Sequence, residues 1–181
     1  MSEHLVEDPV GRQRYVFRPS PEGDVLHIEG WVDPGGGVPP HIHPDQEERF
    51  EILEGEMTFT VGREKRPTGP GGVALVPPGT RHAFQNAGDV TVHMRVETRP
   101  PHDLQAFLED VAALGRAGHT RRIGKNVVPK GYDGLLRGAV LFRAYREHTL
   151  ILLPPPFFQR LVLDRLAAIG ERRGYRPGNL A

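Results

Sequence analysis

The sequence predicts a mainly β chain followed by an α-helical C-terminal region, on three observations. Apolar and polar residues alternate over short runs, the period of a half-buried strand. The 22 glycines and 18 prolines are spread evenly among those runs, as turns between many short strands require. From Asp103 onward the apolar spacing lengthens to three and four residues, which is helical.

The first strands read over Tyr15 to Arg18 and Val25 to Val32, parted by the turn signal Pro19-Ser20-Pro21-Glu22-Gly23. In the second, Leu26, Ile28 and Val32 alternate with His27, Glu29 and Trp31, which puts His27 on the outer face. Arg49 to Leu53 and Glu56 to Val61 form a hairpin-like pair about Glu54-Gly55, with Met57, Phe59 and Val61 on one face and Thr58 and Thr60 on the other. Gly62 to Gly72 reads as a charged connection, and Val73 to Val76 as a short apolar strand. Val90 to Thr98 is the last clear strand: Val90, Val92, Met94 and Val96 alternate with Thr91, His93, Arg95 and Glu97, so His93 falls on the polar side.

Leu104, Phe107, Leu108, Val111 and Leu114 then form one stripe of an amphipathic helix, capped at Asp103 and ending near Gly115 or Gly118. Gly118 to Gly134 carries no clean period and reads as loop. A second helix is expected from about Tyr132 to His148. A third, from about Pro156 to Arg173, follows the rigid elbow Pro154-Pro155-Pro156 and carries Phe158, Leu161, Val162, Leu166 and Ile169 on one face. Residues 1–101 are thus expected to form a β domain, and residues 102–181 a helical extension packing on it or on a partner subunit.

A chain of 181 residues is long enough to bury a substantial core. It has no cysteine, which excludes disulfides and thiol chemistry and agrees with a cytoplasmic location. Met1 to Arg14 lacks the apolar stretch of a signal peptide, and no run approaches the roughly 20 apolar residues of a transmembrane segment. The net charge is zero but unevenly placed: residues 1–114 hold 19 acidic and 10 basic residues, residues 115–181 hold 4 and 13. Opposite fields of this kind favour the extension lying against a barrel, its own or a partner's, over an anionic membrane surface or nucleic acid. Arg160, Arg165, Arg172 and Arg173 flank the third apolar stripe, a composition shared with membrane-surface helices, but the proline elbow favours packing. Aromatic and basic residues are not interleaved, and no helix-turn-helix is seen, so no nucleic acid is expected as a partner. Exposed strand edges make a homodimer the default.

Chemistry concentrates in two segments. The first runs from Gly35-Gly36-Gly37 through His41-Ile42-His43 and Glu47-Glu48 to Gly55; the second from Gly71 through Pro77-Pro78-Gly79-Thr80-Arg81-His82 to Asn86. His41 and His43, two apart in an extended strand, project to one face and can grip one ion. Pro44-Asp45 is turn chemistry that can reset the phase, so a third ligand can follow. Glu47 and Glu48 compete for that place; Glu48 shares its face with Phe50 and Ile52, and an apolar face belongs inside a barrel. His82 opens a short strand with Phe84 on its side and is the natural fourth ligand. Neutral imidazoles with a carboxylate suit a divalent transition-metal ion, namely Fe, Mn, Ni, Zn or Cu.

At these residues the chain resembles the cupin superfamily, whose first motif is matched by Gly35 through Gly55 and whose second is matched by Gly71 through Asn86. The resemblance implies an antiparallel jelly-roll β-barrel of RmlC-like type, with the metal held inside by His41, His43, Glu48 and His82. The whole chain also looks like bacterial single-domain cupins in which "HPDQEERFEILEGE" occurs together with a helical C-terminal extension.

Two functions follow from that resemblance. One is a metal-dependent enzyme of dioxygenase, isomerase or decarboxylase type, acting on a small organic molecule in a cavity lined by Phe50, Ile52, Met57, Phe59 and Phe84. Arg81 is equally a candidate anchor for an anionic substrate and a solvated turn residue, and no general acid or base stands out. The other is a non-catalytic cupin that binds a small ligand, or is stabilised by its ion, and acts through a partner by way of the basic extension.

Overall fold

The structure, a computed structural model, describes residues 4–20, 23–124, 126–152 and 159–181. Pro21 and Glu22 of the first turn signal, the Pro154-Pro155-Pro156 elbow, Phe158 and the Arg160 side chain lie outside the described residues.

Two antiparallel sheets carry the β region. The first has six strands in the order β1 (Leu5–Asp8), β2 (Gln13–Pro19), β3 (Leu26–Val32), β10 (Val92–Arg99), β5 (Glu47–Glu54) and β8 (Val73–Val76). The second has five: β13 (Leu150–Ile151), β4 (Gly37–Ile42), β9 (His82–Gln85), β6 (Met57–Val61) and β7 (Glu64–Thr68). The crossings between sheets are those of a jelly roll, and the two ladders remain separate rather than closing into one continuous barrel. Their inner faces share one core, in which Ile52, Val92 and Val96 of the first sheet meet Met57, Phe59 and Phe84 of the second. Burying each such side chain contributes about 1.5–3 kcal/mol.

β5 and β6, adjacent in sequence, are not paired with each other. β5 pairs with β10 and β8, while β6 pairs with β7 and β9. Gly55, at φ 77° with its Cα against Thr91 and Val92, turns the chain from one sheet to the other instead of closing a hairpin. Within the strands the alternation holds. Leu26, Ile28 and Val32 are buried while His27 is half-buried on the other face, and His93 stacks on Trp31 beside Glu29, away from the core. Val90, expected in the last strand, precedes it and is exposed.

The C-terminal region comprises α1 (Leu104–Arg116), the hairpin β11 (Thr120–Ile123) and β12 (Asn126–Pro129), α2 (Gly131–Tyr145), strand β13, a π-helical turn (Gln159–Leu163) and α3 (Asp164–Arg172). α1 puts Leu104 and Ala112 into the β core and Leu114 into a second core with Val140, Tyr145, Ala167 and Leu180. Asp110, buried on α1, accepts hydrogen bonds from Tyr145 Oη at 2.8 Å and from the Gly178 amide at 2.9 Å, pinning α2 and the C-terminus to one carboxylate. The wide turn before α3 shifts its helical phase. Leu163, Leu166 and Ala167 pack inward, whereas Leu161 and Ile169 of the expected stripe are exposed.

Candidate metal centre

The two motifs are tied together before any ligand is considered. Gly37, at φ 152°, passes so close to β9 that a Cβ there would lie 2.3 Å from the Phe84 carbonyl oxygen. Asn86, fully buried, donates through Nδ2 to the Val32 and Val90 carbonyls at 2.8 Å each, and its own carbonyl accepts from the Gly35 amide at 2.9 Å. The ladder between β4 and β9 then shifts register across Pro39 and Pro40, which cannot donate to it, and resumes with His41 opposite His82. His43 lies just past β4, where its carbonyl accepts from the Gly79 amide at 2.8 Å. Glu48 comes from the facing sheet, where β5 pairs it with Val76 and Thr98.

His41, His43, Glu48 and His82 are all buried, and one ligand atom from each lies within 4.8 Å of the others. Two histidines from one sheet, a third just past its strand β4 and a carboxylate from the other sheet thus converge inside the fold. Glu47, the competing carboxylate, is exposed.

The hydrogen bonds behind these residues fix their protons. His41 Nδ1 faces the Pro39 carbonyl at 2.9 Å, His82 Nδ1 the Thr80 carbonyl at 3.0 Å, and His43 Nδ1 the His148 carbonyl at 2.8 Å. A carbonyl only accepts, so in each ring Nδ1 carries the hydrogen and a neutral imidazole leaves Nε2 as a bare lone pair. His82 Nε2 is 2.8 Å from Glu48 Oε2, and His43 Nε2 is 3.7 Å from Glu48 Oε1. With the rings neutral, His82 Nε2 and Glu48 Oε2 are two buried acceptors in contact, neither with a donor among the described residues. Only a proton or a cation between them removes that repulsion. Metal bonds of about 2.0–2.2 Å put neighbouring donors about 3–4 Å apart, so the spacing and the donor types fit a transition ion.

The electrostatics favour the ligand forms. Burial first, and then His82 and His43, lower the pKa of His41 to about 3 against the opposing pull of Glu48, which keeps the ring neutral. Burial raises the Glu48 carboxyl, but its contact with His82 and the neighbouring His43 and His41 outweigh that and leave its pKa below the usual range.

Phe50, Ile52, Met57, Phe59 and Phe84, expected to line a cavity, are buried in the main core, and the rings of Phe50, Phe59 and Phe84 sit 5.2–6.0 Å apart, in contact with one another. A cavity of about 250 Å³ lies along β6 and β9, lined by Thr58, Thr60 and Gln85 with Arg81 and Arg122, and by Phe84 of the expected set beside His82. Sequence reasoning missed His148 and Thr149, whose backbone carbonyl and hydroxyl meet His43 Nδ1 at 2.8 and 3.4 Å. They lie 105 and 106 positions away, and a carbonyl is the same in every residue, so no sequence signal marks them.

With this fold and site described, residues 22–97 match the family model described as "Cupin domain". Among curated relatives it is 32% identical over 85 residues to "Oxidoreductase OpS7" of Beauveria bassiana, covering 45% of this chain and 26% of that protein. It is 34% identical over 62 residues to an uncharacterized protein of Methanocaldococcus jannaschii, covering 34% of this chain and 50% of that one. The chain therefore spans half or less of the length of these relatives. Among solved structures, an RmlC-like cupin from Shewanella frigidimarina superposes with a TM-score of 0.51 at 17% identity, over 57% of this chain and 89% of that one, a likeness of fold alone.

Proposed function

We propose that His41, His43, Glu48 and His82 hold one divalent ion of Fe, Mn, Ni, Zn or Cu, and that the protein is a metal-dependent enzyme of dioxygenase, isomerase or decarboxylase type acting on a small organic molecule. The observation that carries this is the buried meeting of three Nε2 lone pairs and a carboxylate, with every Nδ1 hydrogen committed to a backbone carbonyl. A bound ion supplies Lewis acidity, lowers the pKa of a bound water and, if redox-active, permits dioxygen chemistry. The chain's own part is to present the four donors with fixed tautomers and to keep bulk water away from them. The oxidoreductase among the relatives is in keeping with a redox-active ion.

A second reading, a cupin stabilised by its ion and acting through a partner, draws on the close-packed Phe50, Phe59 and Phe84 rings and on the direct hold of the C-terminal region on His43. Elemental analysis of purified protein, then turnover assays on small carboxylates, keto acids and phenols with each metal restored in turn, separate the two. A protein that takes up none of the five ions, or keeps all of them without His82, is not the metalloprotein proposed here.

A further inference from the structure

We propose a second metal-binding site on the surface beside the buried centre, formed by Asp45, His102 and His148 and suited to Zn²⁺, Ni²⁺ or Cu²⁺. Three separate segments meet there: the turn between β4 and β5, the turn before α1, and the turn between α2 and β13. Each residue offers one ligand atom, all within 4.8 Å of one another. His102 Nε2 is 2.9 Å from Asp45 Oδ2, His148 Nδ1 is 3.6 Å from Asp45 Oδ1, and the two rings lie face to face at 3.9 Å. Two imidazole nitrogens with a carboxylate oxygen form a donor set of intermediate softness, favoured by Zn²⁺, Ni²⁺ and Cu²⁺ over Mg²⁺ or Ca²⁺.

Hydrogen bonding alone leaves this cluster unfinished. Asp45 accepts from His102, but the 3.6 Å approach of His148 Nδ1 is too long for a hydrogen bond, and that buried nitrogen has no partner among the described residues. An ion between the carboxylate and the two rings would satisfy it. The turn that carries His102 is anchored just before it, where Gln46, 1% exposed, donates to the Pro100 and Pro101 carbonyls at 2.8 and 3.1 Å. Partial exposure of all three side chains leaves room for entry and for water as further ligands. No residue belongs to both clusters, although the His148 backbone carbonyl also fixes His43. An ion here would clasp the β region to the C-terminal region at the segment that orients one ligand of the inner centre.

Zn²⁺ binding to metal-stripped full-length protein, followed by equilibrium dialysis with elemental analysis, tests this. The expected count is two ions per chain for the wild type, one for His102→Ala/His148→Ala, which keeps the backbone carbonyl at 148, and one for His41→Ala/His82→Ala. Asp45→Asn should also lose one equivalent, with circular dichroism showing the fold of each variant unchanged. The proposal is overturned if the wild type binds no more Zn²⁺ than His102→Ala/His148→Ala. Loss of an ion in that variant, with none lost in His41→Ala/His82→Ala, would instead sink the inner centre and leave this site standing.

Discussion

Replacing Glu48 by glutamine should raise the stability of the metal-free protein and abolish most of the further gain that metal gives. In metal-free protein at about pH 8.5, where imidazoles are neutral, Glu48 Oε2 and His82 Nε2 face each other at 2.8 Å as two acceptors. The amide of the substituted side chain would donate to that nitrogen and end the conflict. Leaving buried polar atoms unsatisfied costs about 1–3 kcal/mol, and a chain of this size shifts its midpoint by about 2–4 °C per kcal/mol, so Glu48→Gln should melt about 2–12 °C above the wild type in chelator. With metal at about 100 times its Kd the wild type should gain about 2.7 kcal/mol, or about 5–11 °C, and the variant should gain little. Differential scanning calorimetry with and without chelator reads all of this. A variant that melts below the wild type in chelator, yet still rises fully with metal, would refute the assignment of lone pairs to the interior.

Other outcomes follow from particular contacts. His41 is held near a pKa of about 3, below the ordinary 6.5, so its contribution to stability is complete above pH 6.5 and is lost as pH falls from there toward 3. Chelated protein should lose up to about 1.4 kcal/mol per pH unit across that window, and His41→Asn should flatten the slope of a denaturation series against pH. Asp110→Ala strands the Tyr145 hydroxyl and the Gly178 amide and should cost about 2–4 kcal/mol in a urea titration, with Asp110→Asn losing less because it keeps an acceptor. Gly37→Ala would set a methyl 2.3 Å from the Phe84 oxygen, prise β4 from β9 and so part His41 from His82; metal content should fall along with stability. Unchanged metal content in a folded Gly37→Ala protein would show that this close passage does not position the histidines.

Local periodicity carried much of this architecture in the sequence. Glu47 and Glu48 differ by one position, and alternation with Phe50 and Ile52 turns Glu48 inward and Glu47 to solvent. The helical stripe from Leu104 to Leu114 is legible for the same reason, since one period decides one buried face. Pairing partners are another matter. β5 and β6 adjoin in sequence but lie in different sheets, because crossing between sheets is set by contacts with β10, β8 and β9 that local spacing does not encode. β7 escaped notice because Glu64 to Pro67 are all exposed, so this edge strand has no apolar alternation to display. β11, β12 and β13 are four, four and two residues long, too short to show a period.

The two-residue strand β13 has a bearing on self-association. By pairing Leu150 with Ile42 and Ile151 with His41, it occupies the margin of β4 that would otherwise offer free amides and carbonyls to another molecule. The opposite margin of that sheet, β7, is guarded by Lys65, Arg66 and Pro67. The six-stranded sheet is blunted differently: at its borders, β1 and β8, Arg116 and Arg66 cap the Glu7 and Val73 carbonyls, while Leu5 and Leu75 stand exposed.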